Sequence, residues 1–119
     1  MISFTPHLVP MKRGIYATIY MNLTDDYTEE QLLDAYRKFY ENCPFVRIYD
    51  AGKIPESNHV AGSNYIDIGL TVDKRLKRVV VISTTDNLNK GAAGQAVQNM
   101  NLMFDLPETT GLASPGFYL

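Results

Sequence analysis

Chemistry in this chain of 119 residues concentrates where an apolar run gives way to asparagines and glycines, D-N-L-N-K-G-A-A-G-Q at 86–95. A strand turning there into a helix would present the helix's first N–H groups and the positive end of its macrodipole. Gly91 and Gly94 remove side chains that would hold a ligand off the backbone, and Lys90 adds a point charge. The turn therefore reads as a cradle for a phosphate or an amide. The same residues allow a plainer reading, in which the glycines let helix and strand pack closely and Lys90 is solvated. A Lys-Gly pair alone does not choose between them. His7 lies between Pro6 and Pro10, with Lys12, Arg13 and Gly14 shortly after. Cys43 has no histidine near it in sequence and no thiolate-stabilising setting, so it reads as structural. His59, in a polar loop, reads as solvated, with a ligand role left open.

The helix that must follow the turn, over 91–104, carries no formal charge. Ala93, Ala96, Val97, Met100, Met103 and Phe104 recur at helical spacing and predict one buried stripe. Gln95, Gln98, Asn99 and Asn101 put amides where a surface helix would carry charges, so that face too is expected to be covered. Ahead of it, residues 2–10 predict a short strand that its prolines keep off central ladder positions. A long strand follows at 15–23. Ile15, Ala17, Ile19, Met21 and Leu23 face one way; Tyr16, Thr18, Tyr20 and Asn22 face the other, a surface suited to a partner subunit. Thr28 and Gln31 match a capping box for a helix over 29–41. Its stripe is Leu32, Leu33, Tyr36, Phe39 and Tyr40, and Pro44 stops it. A brief strand at 45–49 and a long loop at 51–64 lead to a hairpin of strands 65–72 and 77–84. Val79, Val80, Val81 and Ile82 are apolar on both faces, which makes the second hairpin strand central. The order β-β-α-β-β-β-α predicts an α+β fold, a largely antiparallel mixed sheet with helices packed on one face. An apolar tail at 106–119, with Leu112, Phe117, Tyr118 and Leu119, is expected to dock on something.

Length and composition describe one domain with one modest core. A net charge of -2 gives no reason to expect nucleic acid or an acidic membrane as partner. No apolar run approaches the ~20 residues of a membrane span. One cysteine excludes an internal disulfide and, with no signal peptide in view, fits a reducing, cytoplasmic setting.

Three blocks go beyond pattern: F-T-P-H-L-V-P-M-K-R-G-I at 4–15, G-S-N-Y-I-D-I-G at 62–69, and V-D-K-R-L-K-R-V-V-V-I-S-T-T-D-N-L-N-K-G-A-A-G-Q-A-V-Q-N-M-N at 72–101. In this order they resemble the C-terminal part of N-acetyl-gamma-glutamyl-phosphate reductase, a member of the aspartate-semialdehyde dehydrogenase-like group. The resemblance implies a two-domain parent enzyme. A Rossmann domain binds NADP, and an α+β domain lines the active site and forms the dimer. A cysteine thiolate displaces phosphate from an acyl phosphate, the thioester takes hydride to give a semialdehyde, and a histidine serves as acid and base; covalent catalysis splits one hard displacement into two easier ones. The glycine-rich loop, the nucleophile block and the family's histidine block are not in this sequence, so the chain is expected to be the C-terminal portion and inactive alone. Neither Cys43 nor His7 is promoted into those roles.

The resemblance also places residues. The turn at 7–14 aligns with the substrate side, where His7 or Arg13 would meet the substrate carboxylate, a group that a guanidinium suits bidentately. The alternative is that Arg13 pairs with an acidic neighbour. Asn87 stands where the wider group presents an amide to the nicotinamide, with Lys90, Gly91 and Gln95 beside it on the cofactor side. The amide face of the last helix would then pack on the Rossmann domain, and the tail would return to it. Two other readings stand beside this one: a free-standing binding module on the same scaffold, and a phosphate sensor built on Lys90 and Gly91.

Overall fold

In the computed structural model, which describes residues 2–117, the elements are β1 (Ile15–Asn22), α1 (Glu29–Phe39), β2 (Val46–Ile48), β3 (Ile66–Asp73), β4 (Arg78–Thr85) and α2 (Gly94–Met103). A 3-10 turn at Ser57–His59 interrupts the long loop, and a π-helical turn at Asn89–Ala93 leads into α2. The sheet order is β1-β4-β3-β2; β4 pairs antiparallel with both neighbours and β2 adds a parallel edge. The α+β expectation holds, and the all-apolar strand is indeed interior.

Local chemistry explains each piece. Thr28 Oγ1 accepts the Gln31 amide at 3.2 Å while the Gln31 side chain accepts the Thr28 amide at 2.9 Å, so α1 starts on the expected capping box. The β3–β4 register sets Ile66, Ile68, Leu70 and Val72 against Thr85, Ser83, Val81 and Val79 on one face. Leu33 of α1, 1 % exposed, closes the core over Ile68, Leu70, Val79 and Val81. On the other face Gly69 admits the long loop; a Cβ there would lie 2.7 Å from Pro55 Cδ and 2.9 Å from the Lys53 carbonyl. Pro55 is buried, so this face is partly roofed by the chain itself.

Three expectations fail. Residues 2–10 form no strand and are exposed throughout; Pro6 and Pro10 remove ladder donors, and Gly14, at φ +114°, turns the chain between them and β1. β1 buries neither face well, because it is an edge strand and α1 packs on β2 and β3 instead; Ile15, Ile19 and Met21 remain exposed beside Tyr16 and Tyr20. Phe39 leaves the α1 stripe, 78 % exposed, with its ring edge-on to Tyr40 at 4.9 Å.

The largest correction concerns α2. The stripe expected inside is outside: Met100, Met103 and Phe104 are exposed, as is Leu102. The inward side carries Gly94 and Asn101, with Lys90 one turn earlier. What lies under the helix is the tail rather than apolar sheet. Asn101 Nδ2 donates to the carbonyls of Glu108 and Thr110 at 3.1 and 3.0 Å, and the Gln98 amide to the Glu108 carboxylate. Backbone carbonyls can be satisfied by amides and not by methionines, so Gln98 and Asn101 turn in, while Gln95 and Asn99 stay exposed.

Candidate functional site

The β1–β4 register, Ile15 against Thr85, brings the turn before β1 beside the turn after β4. Their meeting point is Asp86, whose side chain is fully buried. Arg13 donates Nε–H to Oδ2 at 2.6 Å and Nη2–H to Oδ1 at 3.2 Å. The Gly62 amide reaches Oδ2 at 2.6 Å, and the Leu88 and Asn89 amides reach Oδ1 at 2.8 Å each. Burial alone would raise the carboxyl's pKa, but the Arg13 guanidinium and the three amides outweigh it and hold the pKa below the ordinary range. A charge-assisted bond of this kind is worth roughly twice a neutral one. The next residue continues the seam: Asn87 Oδ1 accepts the Gly14 amide at 2.7 Å.

The expected anion cradle is therefore largely filled by the chain's own carboxylate. Leu88 and Asn89 give their amides to Asp86, and the Gly91 amide goes to the Asp86 carbonyl at 2.8 Å. Lys90 is no surface charge, as either reading of the turn required. It is 8 % exposed, its Nζ stands 4.7 Å from the centre of the Phe45 ring, and it has no hydrogen-bond partner among the described residues. Desolvation lowers its pKa, partly offset by Glu108. Gly91 is exposed and Gln95 is exposed with its amide on Asn99 at 3.2 Å. His7 stands in the exposed leading segment, its ring 3.1 Å from the Thr5 carbonyl. The structure thus joins Arg13 and Asn87 through Asp86, sets Gly91 alongside, and leaves His7 on the exposed leading segment.

Arg13 does pair with an acid, yet not with all of its donors. Asp86 uses two of its five N–H groups, and the side chain is 22 % exposed. Its guanidinium also lies 5.3 Å from the centre of the Phe117 ring. That ring fills the space over Gly62, where a Cβ would come within 2.1 Å of it. The tail's described part packs on this domain: Leu112 is buried, its carbonyl accepts Asn64 Nδ2 at 3.0 Å, and the Phe117 amide reaches the Ala61 carbonyl at 2.9 Å. Tyr118 and Leu119, part of the same expectation, lie outside the described residues.

A second buried carboxylate braces the loop from the other end. Asp67 accepts Arg47 Nε at 2.5 Å, Arg47 Nη2 at 2.8 Å and the Tyr49 hydroxyl at 3.0 Å; that hydroxyl also lies 3.1 Å from His59 Nδ1. Burial first, then the bond to Asp67, push the Tyr49 phenol up to about 12. His59 is exposed in the loop, as expected, with one ring nitrogen on this network. Asp86, Gly62 and Asp67 were assigned no role from sequence. The one signal available was an Asp at the cap of a helix-bearing turn.

The family model for the semialdehyde dehydrogenase dimerisation domain matches residues 1–87. The chain belongs to that family. Curated relatives named N-acetyl-gamma-glutamyl-phosphate reductase align along almost all of it. That of Acetivibrio thermocellus is 63 % identical over 99 % of this chain and 34 % of its own length. That of Symbiobacterium thermophilum is 63 % identical over 97 % of this chain and 33 % of its own. The chain spans about a third of the curated relatives it matches. Among solved structures, aspartate semialdehyde dehydrogenase II from Vibrio cholerae superposes with a TM-score of 0.66 at 21 % identity, over 82 % of this chain and 29 % of that one. That likeness shows a common fold. Among the described residues no helix is long and apolar enough to cross a membrane.

Proposed function

We propose that this chain is the substrate-side and dimer-forming domain of a cytoplasmic, NADP-dependent reductase that interconverts N-acetyl-glutamyl 5-phosphate and the corresponding semialdehyde in arginine biosynthesis. The observation that carries the reading is identity of 63 % to a reductase of that name over 99 % of this chain. In this reading Arg13 offers its remaining N–H groups to the substrate's carboxylate. Asn87, its oxygen fixed by Gly14, would offer its amide N–H groups to the nicotinamide end of NADP, whose reduced form would supply the hydride. Exposed Gly91 and Gln95 leave the flank of the turn open to the cofactor, whereas Lys90, buried against Phe45, does not fit a contact with it. The thiol, the acid–base histidine and the Rossmann domain belong to polypeptide outside this sequence. The exposed α2 stripe and Phe117 are the surfaces that Rossmann domain would cover; the exposed β1 residues are those a second copy would cover.

The test is reconstitution. The purified chain should give no NADPH oxidation with the acyl phosphate. Joined in one polypeptide to the preceding two-thirds of the Acetivibrio thermocellus reductase, it should turn over. Turnover by the chain alone, or a folded but inert joined enzyme, would overturn the reading.

A further inference from the structure

We propose that Asp86 is the positioning residue that sets the substrate-side guanidinium and the cofactor-side amide together, so that the two halves of the binding surface keep one geometry. The proposal rests on the functional reading above and adds a residue to it.

The Asp86 carboxylate, fully buried, is the point where the two flanks meet. Two of its five donors come from Arg13, one from Gly62 in the long loop and two from the turn that begins the last helix. These belong to three segments far apart in sequence, and Asp86 is their shared partner. Arg13 approaches through Nε and Nη2, which fixes the guanidinium plane and directs Nη1 and the second Nη2–H away from the carboxylate. On the other side, the Leu88 and Asn89 amides set the backbone of the turn that carries Asn87, and Asn87 in turn holds Gly14, the neighbour of Arg13. The loop is closed: Arg13 to Asp86, Asp86 to the turn, the turn to Asn87, Asn87 back to Gly14. A carboxylate in water could not enforce this, since each donor would exchange with solvent. A fully buried one, with five donors, is strongly specified. Neither flank can move without the other, and reacting groups displaced by an ångström lose about a hundredfold in rate.

Two measurements test this and separate its failure from that of the functional reading. In the chain alone, Asp86→Asn should shift the Arg13 Nε–H resonance and the amides of Gly14, Gly62, Leu88 and Asn89; unmoved resonances overturn the node whatever the chain does. In the joined enzyme, Arg13→Lys should raise KM for the acyl phosphate more than that for NADPH, and Asn87→Ala should do the reverse, each with a smaller rise on the other side because each cuts one link of the ring. Asp86→Asn should raise both KM values, each by about tenfold, and lower kcat/KM about a hundredfold. If Asp86→Asn does not fold, Asp86→Glu keeps the charge and should show the same two-sided rise at smaller size. A loss of active fraction with both KM values unchanged, or a rise in one alone, overturns the proposal. An inert wild-type joined enzyme with the resonance shifts present would refute the function and leave the node standing.

Discussion

Gly94→Ala is the sharpest single test of how the last helix is seated. In an isolated helix the change would be favourable by about 1 kcal/mol. Here a Cβ would lie 1.8 Å from Asn64 Oδ1, 3.0 Å from its Cγ and 3.0 Å from the Asn89 carbonyl carbon. Asn64 is 8 % exposed and donates Nδ2 to the Leu112 carbonyl at 3.0 Å, so it cannot swing aside freely. Displacing it strands a buried carbonyl, at about 1–3 kcal/mol, and overpacks the seam at a similar cost. The net expectation is a loss of about 2–3 kcal/mol after the helix gain. Urea unfolding of the chain, followed by far-UV circular dichroism, measures it from the midpoint shift at unchanged slope. Two companions make the result decisive. Gly91→Ala meets the Asp86 carbonyl oxygen at 3.1 Å and Ile15 Cδ1 at 3.4 Å, a tight but yielding fit, and should change stability by less than about 1 kcal/mol. In an Asn64→Ala background the worst clash is gone and only the tight approach to the Asn89 backbone remains, so most of the Gly94→Ala loss should disappear, a coupling well above the few tenths expected of independent sites. Gly94→Ala as stable as the parent, or an equal loss in both backgrounds, would refute this seating of α2.

Lys90→Met should stabilise the chain by about 1 kcal/mol near neutral pH, since it removes a desolvated ammonium without a hydrogen bond and loses a ring contact and a weaker attraction to Glu108. Because burial lowers this lysine's folded pKa, the unfolded chain binds more protons as pH rises toward the ordinary value, so the Met variant's advantage should shrink at alkaline pH; thermal melts across that range check both. Asp86 has the opposite dependence: with its folded pKa lowered, its contribution is present above the ordinary carboxyl value of about 3.9 and disappears as pH falls through the folded value. Acid titration of stability should therefore be shallower below that point in Asp86→Asn than in the parent. Tyr20→Asp, on the exposed face of β1, should shift the chain toward monomer in light scattering; a parent that is strictly monomeric at high concentration would count against pairing through that strand.

The sheet was legible because its determinants are local. Alternation at 65–72, the apolar run at 79–82 and the Thr28–Gln31 box specify a hairpin and a helix start from neighbours in sequence, and the core under Leu33 follows. The candidate site was legible only in its residue types. That Arg13 and Asn87 lie on one seam depends on β1 pairing with β4, and the knot on a carboxylate whose donors sit 73, 24, 2 and 3 residues away. Periodicity carries no information about such partners.

The last helix failed for a different reason, and the failure is informative. Helical periodicity identifies which residues share a face, but not which face meets this domain. In a chain that formed all its contacts within itself, apolar and inward would coincide. Here the amides of Gln98 and Asn101 turn toward the tail's carbonyl and carboxylate groups, while Met100, Leu102, Met103 and Phe104 stand in solvent. A side chain such as Phe or Met gains about 1.5–3 kcal/mol when fully buried, so four of them exposed at the end of one helix forgo several kcal/mol. Selection for this domain alone would exchange the two faces. The arrangement is consistent with a helix that serves two bodies at once, fastened to this one by hydrogen bonds and offering its apolar side to the polypeptide that makes up the other two-thirds of its relatives.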